Sequence, residues 1–347
     1  NAAEDERGFV MGLILAGVTS GNVIGPLLGG VSASLGDWRL FFVVNVILSA
    51  VAALLVFRLL PKQAPQADDE KVDFAGIAVL SCAILALLFA LDVGADWGWT
   101  SPRILGLFAA SLVLFLVFPL MESRVADPLM PPQLLRNRQF VVTLWLSALM
   151  VPAFFVAFLY FPQFMQKVLN WTVLEASFGM IPMMAPLAVG SIIAGNFYQP
   201  VGPKRLLFAG YFLVLLGCAS LLVLPASWGY FALLPAMLLF GFGAPLAVSA
   251  SGTAAVSAVS ASRAGLAGGL SFMMHLSYGA IGVAVATAIL FNASHDSARS
   301  GDQAGGLTGT AFADAMGLAY WPVLLSVLVG LVLVFAIDER KLHTIDD

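Results

Sequence analysis

Ten separate stretches of this chain are apolar over the length a helix needs to cross a bilayer, about 20 residues. They run near residues 9–35, 39–60, 74–93, 103–121, 139–161, 175–199, 204–224, 229–251, 266–291 and 316–337. Few folds accept such a pattern. In hydrocarbon every backbone N–H and C=O must find its partner within the protein, so this chain is expected to form a bundle of spanning helices. The stretch at 229–251 is interrupted by Pro235, Gly241, Gly243 and Pro245. No charged residue breaks it, and we read it as one helix. The expected fold class is therefore an all-α polytopic membrane protein.

Composition closes off the other classes. Hydrophobic residues make up 60% of the 347 and charged residues 10%, where soluble domains carry roughly a quarter charged residues. A net charge of -4 gives no nucleic-acid footprint. Cys82 and Cys218 both lie inside apolar runs, which argues against a disulfide framework or a thiolate metal site. The three histidines form no metal-binding cluster. No catalytic triad, phosphate-binding glycine loop or zinc spacing is present, so neither an enzyme nor a bound cofactor is expected. No ATPase machinery is present, so any transport by such a bundle would have to draw on an ion gradient.

The short loops set an orientation. With the amino end in the cytoplasm, that side holds Arg7, Arg58, Lys62, Lys71, Arg124, Arg136, Arg138, Lys204, Arg205, Arg263, Arg340 and Lys341. The far side holds Arg39, Arg103, Lys167 and Arg299. Twelve against four agrees with ten alternating spans. Trp97, Trp99, Trp171 and Trp228 fall at the outer ends of runs, as an interfacial aromatic belt requires. Residues 61–73, with Pro61, Pro65 and the Asp68-Asp69-Glu70 run, read as a solvated linker. Residues 292–315, rich in Gly, Ser and Ala, read as an outward-facing linker.

The first run carries the most specific motif. Gly12, Gly21, Gly25, Pro26, Gly29 and Gly30 fit G-x8-G-x3-G-P-x2-G-G at every fixed position. This resembles the antiporter motif of the major facilitator superfamily, carried there on the fifth spanning helix. Further along, Asp37-Trp38-Arg39-Leu40-Phe41-Phe42-Val43-Val44-Asn45 resembles the opening of the next helix in its fourteen-span drug:proton antiporters. The proline that follows Asn-Val in that family is missing here. Asp96 to Pro102 resembles the outer loop between the subfamily's two extra helices. Glu122-Ser123-Arg124 with Asp127 to Pro131 resembles its next cytoplasmic loop. Gly265 to Leu270, continuing to Gly279-Ala280-Ile281-Gly282, is similar to its thirteenth helix.

The resemblance implies a major facilitator fold, with ten spans corresponding to helices five to fourteen of fourteen. Residues 1–60 would be the last two helices of the amino-terminal lobe. Residues 61–138 would be a linker and two extra inter-lobe helices, and 139–347 the six-helix carboxy-terminal lobe. It also implies four helices upstream, so the gene is expected to extend by roughly 100 to 130 residues, about four spans with loops. The implied function is proton-coupled export of amphiphilic drugs by alternating access, with the fragment alone inactive. The alternatives are a dedicated exporter of one metabolite or antibiotic, and a non-transporting membrane partner protein. Implied partners are the lipid bilayer, protons and a small amphiphilic substrate, with room for a periplasmic adaptor. The implied location is a plasma membrane of the bacterial inner-membrane type.

Several residues are candidates for the chemistry. Gly17, Gly21, Gly25 and Gly29 form a small-residue stripe suited to close helix approach, and Pro26 predicts a bend. His275 is the lone histidine in a membrane run, a position where ionisable side chains mark function by default. It stands where the family often has Arg. Its rival reading is a histidine that bonds a neighbouring helix and never titrates. Asn45 predicts a cross-helix hydrogen bond or a place in a pocket wall. Asp92 and Glu175 lie at outer ends of runs, where solvation competes with coupling as their role. Glu122 and Arg124 suggest a structural ion pair. Trp145, Phe154, Phe155, Tyr160, Gln163 and Gln166 offer either helix packing or a cavity wall for greasy cations. Met183 and Met184 favour core packing. Gly195 to Arg205, with Gly202, Lys204 and Arg205 retained, resembles a degenerate copy of the family's cytoplasmic loop motif. Its Asp and first Arg positions hold Gln199 and Pro200.

Overall fold

A computed structural model of the chain describes residues 21, 24–59, 73–125, 134, 136–223, 226–260, 263–299 and 309–338. Helices α1 (Ile24–Ser34), α2 (Arg39–Leu59), α3 (Phe74–Trp97) and α4 (Pro102–Glu122) come first. After them come α5 (Arg138–Lys167), α6 (Val173–Gly179), α7 (Ile181–Val201) and α8 (Pro203–Val223). The last three are α9 (Tyr230–Ser257), α10 (Ala264–Arg299) and α11 (Gly309–Val334). Among the described residues there is no strand, and nine stretches are long and apolar enough to cross a membrane. The chain is thus an all-helical multi-pass membrane protein.

The helix ends follow from local chemistry. Asp73 Oδ1 accepts from the Gly76 N–H and caps α3. Ser101 caps α4, with Pro102 at the first helical position, where a missing N–H costs nothing. Asn137 Oδ1 accepts from the N–H groups of Gln139 and Phe140 at the start of α5. Its Nδ2 donates to the Ala258 carbonyl at 2.6 Å, tying the start of α5 to the end of α9. Gly202, at φ 87°, ends α7 in a conformation that favours glycine, and Pro203 then opens α8. The interrupted stretch at 229–251 is indeed one helix, α9, despite Pro235 and Pro245.

Helices α5 to α11 pack into one body, whose core cluster begins at Leu134 and has no earlier member. Its axis is α5, which meets α9, α10 and α11. Its most apolar stretch is 78% buried. Around it, helices meet backbone to backbone where glycine leaves room. A Cβ on Gly241 of α9 would lie 2.5 Å from the Met183 carbonyl oxygen of α7. A Cβ on Gly243 would lie 2.7 Å from the Gly210 carbonyl oxygen of α8, and one on Gly210 would lie 2.7 Å from that of Gly243. Small residues drive helix association in lipid because van der Waals contact replaces the hydrophobic effect there. The glycines that interrupt the 229–251 stretch are thus packing surfaces. Met183 and Met184 are core, as their composition favoured.

Outside this body, α3 and α4 form a hairpin zipped by the Ser111 hydroxyl donating to the Ala83 carbonyl. The hairpin leans on α10 through α3. The apolar window of α2 is 0% buried among the described residues.

Three expectations need correction. The stretch at 175–199 is two helices, broken at Met180 ahead of Pro182, because a proline early in α7 suits a helix start. The segment 292–315 is not one linker: α10 continues to Arg299 and α11 begins at Gly309. Asn45 makes no cross-helix bond among the described residues. Its Nδ2 donates to Phe41 O one turn back at 2.8 Å, since α2 offers it no packed neighbour. Glu175, by contrast, is exposed, in keeping with a solvated interfacial residue, and closes a capping box with Thr172. Its carboxylate accepts from the Thr172 N–H at 2.7 Å and the Thr172 hydroxyl at 2.9 Å.

Candidate functional site

The described residues bring the candidate chemistry together on one seam, between α5 and α10. Glycine sets how close the two helices come. A Cβ on Gly279 would lie 2.7 to 2.8 Å from Phe155 and Val151. A Cβ on Gly282 would lie 2.5 Å from the Pro152 ring. Pro152 has no N–H for the Ala148 carbonyl. Close by, neighbouring helices donate to α5 carbonyls: Tyr211 Oη to Leu146 O and Ser326 Oγ to Leu149 O. These bonds tie α5 to α8 and α11 beside the proline.

Beside that close approach stands His275. It is half-buried, with Nδ1 3.5 Å from the Ser147 hydroxyl of α5. The Phe272 ring stacks near it at 6.2 Å between centroids, and Phe155 meets it edge-on at 6.3 Å. One turn away, Trp145 and Tyr278 meet edge-to-face at 6.1 Å across the seam. Phe154 joins Phe155 and Phe158. Trp145 remains 43% exposed and Phe272 63% exposed, so the strip presents aromatic faces outward. Further along, the Tyr160 hydroxyl and Thr287 Oγ1 share a hydrogen bond of 2.6 Å.

Chemically, the seam offers an imidazole that can exchange hydrogen-bond roles with Ser147, set among rings. Either charge state has a partner there. The neutral ring bonds the hydroxyl, and a protonated one gains aromatic faces. Among the described residues no group of three or more His, Cys, Asp or Glu could hold a metal ion.

Other candidates lie elsewhere. Asp92 is exposed on α3, and Gln166 is half-buried near the end of α5. Gly12 lies outside the described residues. Gly25 and Gly29 meet no described neighbour within 4 Å of a Cβ position, whereas a Cβ on Gly30 would run into the Ser177 side chain of α6. In the degenerate loop, Gly195 is also open. Lys204 Nζ donates to the carbonyls of Phe335 and Ile337 at 3.3 and 3.2 Å, just past α11. Arg205 is exposed. Glu122 is 4% exposed beside the start of α3.

Sequence reasoning missed Ser147, Pro152, Phe272, Tyr278 and Thr287. A signal existed. Ser147, Val151, Phe155 and Phe158 recur at helical spacing, as do Phe272, His275, Gly279 and Gly282. What no spacing could tell was that these two stripes face each other across 128 residues.

Comparison with known proteins agrees with this architecture. The chain is 28% identical over 240 residues to "Multidrug resistance protein 3" of Bacillus subtilis, covering 69% of this chain and 47% of that protein. It is 32% identical over 201 residues to "Multidrug transporter protein MdtP" of the same organism, covering 56% and 37%. It is 28% identical over 269 residues to "Tetracenomycin C resistance and export protein" of Streptomyces glaucescens, covering 77% and 50%. The chain spans about half the length of these relatives. The sequence model described as "Major Facilitator Superfamily" matches residues 1–283. That match covers well over half of the chain, and the chain belongs to the Major Facilitator Superfamily.

Proposed function

We propose that the protein works as a secondary exporter of amphiphilic, aromatic organic cations, coupled to proton entry. The observation that carries this is His275 on the α5–α10 seam, bonded to Ser147 and bracketed by Phe155 and Phe272. A proton on the imidazole and a cationic substrate would draw on the same aromatic faces. Two positive charges within a few ångströms in a poorly solvated site repel by several kcal/mol. Binding one therefore expels the other, which is the elementary requirement of exchange. The glycine and proline contacts at Gly279, Gly282 and Pro152 hold α10 tightly against α5 and so fix His275 beside Ser147. The antiporter-type pattern from Gly12 to Gly30 and the names of the three relatives support the same reading. The orientation that goes with it places the amino end and the carboxy terminus in the cytoplasm of a bacterial plasma membrane, by the loop-charge bias.

The test is efflux of a fluorescent aromatic cation from inverted vesicles under an imposed pH gradient. A protonophore should abolish it. His275→Ala, expressed at wild-type level, should lower pH-driven efflux by about ten-fold, equivalent to ~1.4 kcal/mol. His275→Ala efflux that matches wild type from about pH 5 to 8, the range in which imidazole changes charge, would remove His275 from coupling.

A second reading is a dedicated exporter of one natural product. The name of the Streptomyces glaucescens relative, which refers to a single antibiotic, favours it. A panel of unrelated cations separates the two, since a dedicated exporter leaves most of the panel inside.

A further inference from the structure

Away from the α5–α10 seam, a cavity of about 500 Å³ opens between the end of α8, the start of α9 and the first turns of α11. That volume is in the range of small-molecule sites. Its walls include Leu221 and Val223 of α8, Leu233 of α9, Phe164 of α5 and Trp321 of α11. One charged side chain lines it, Asp314, and among the described residues no cation pairs with that carboxyl. Gly317, one turn on, meets nothing within 4 Å of a Cβ position, so the floor there is open by lack of a side chain.

Below the cavity, α11 continues it as an apolar track. Leu318, Trp321, Leu325, Val329 and Val332 recur at helical spacing and are 48–71% exposed. From Leu318 to Val332 the track runs about 20 Å at 1.5 Å per residue. One leaflet's hydrocarbon is about 15 Å deep. A carboxyl at the head of a track this long fits a membrane lipid better than a compact soluble cation. A carboxylate also accepts hydrogen bonds, and a primary ammonium has three to give. We infer that this cavity is a binding site for a phospholipid with a primary-amine headgroup. The ammonium sits on Asp314, the glycerol region fills the space over Gly317, and an acyl chain follows the α11 track past Trp321. Nothing in the inference depends on transport.

Native mass spectrometry of the purified protein with equal amounts of phosphatidylethanolamine, phosphatidylcholine and phosphatidylglycerol tests it. The expected order of retention is ethanolamine, then choline, then glycerol, because choline lacks N–H donors and glycerol leaves the phosphate charge uncompensated. Asp314→Asn should lower ethanolamine-lipid retention about three- to ten-fold and choline-lipid retention by less, since choline loses only the charge attraction and not hydrogen bonds. Gly317→Leu, which fills open space without a clash, should lower retention of both. Val189→Ala, on an exposed stretch of α7, should change neither. Equal retention of the three lipids, or an Asp314→Asn protein that still prefers the ethanolamine lipid, overturns the site. So does Asp314-dependent binding of a soluble alkylammonium that leaves lipid retention untouched. Because the readout is binding, failed efflux would count against the transport proposal alone.

Discussion

At the scale of single residues, partners separate acids and hydroxyls that look alike in sequence. Glu175 opens an apolar helix and could have been a proton carrier. Its carboxylate is instead occupied by Thr172, as a capping box requires. We expect Glu175→Ala to leave pH-driven efflux within about two-fold of wild type, a change of ~0.4 kcal/mol. Vesicle assays alongside His275→Ala check this, and a loss as deep as that of His275→Ala would reinstate Glu175 as a coupling group. Tyr160 carries the opposite expectation. Its hydroxyl bridges α5 to Thr287 of α10, so Tyr160→Phe should destabilise the protein by about 0.5–1.5 kcal/mol, seen as a lower midpoint in detergent thermal unfolding. The residue types were legible in sequence, but the partners were not. Thr172 lies three residues from Glu175, within reach of a motif search. Thr287 lies 127 from Tyr160, and only packing brings it close.

At the scale of the element, glycine positions divide by what faces them. Gly279 and Gly269 both sit on α10, and one-dimensional reading treats them as copies. A side chain at Gly279 would strike Phe155 and Val151, while Gly269 has nothing within 4 Å. Gly279→Leu should therefore cost about 1–3 kcal/mol through overpacking, and Gly269→Leu should cost nothing measurable or raise helix stability slightly. Thermal melts of the two variants decide the matter, and equal losses would mean that α10 does not meet α5 at Gly279. Lys204 makes a similar point. Loop charge alone explains a cytoplasmic lysine, yet its Nζ also holds the Phe335 and Ile337 carbonyls just past α11. Lys204→Met should speed amide hydrogen exchange in the last turn of α11 while leaving the middle of that helix unchanged. The helices themselves were readable because bilayer length and apolarity are local quantities. Their breaks were less so: Met180 ends α6 only because Pro182 suits the start of α7.

At the scale of the whole molecule, the described residues hold one core, and it belongs to α5 through α11. The α3–α4 hairpin has its own small buried set, with Ala83, Ala90, Ile104 and Phe118. A fragment of residues 134–347 should thus unfold cooperatively in detergent, whereas residues 21–125 alone should show a broad, weak transition. Calorimetry or intrinsic fluorescence melts of the two fragments check this, and a cooperative transition in 21–125 would contradict it. The sequence by itself determined that the chain is a helical membrane protein, where most of its spans lie, and which family it resembles. Those properties follow from residue type and local spacing, because hydrocarbon demands about 20 apolar residues per crossing regardless of context. The tertiary structure alone decided that His275 faces Ser147, that Asn45 and Glu175 bond within their own helices or caps, and that Asp314 heads an apolar cavity. Those properties depend on which faces of distant helices meet. Each meeting is set by the absence of a Cβ at a few glycines and by the fit of rings around them, which no count along the chain contains.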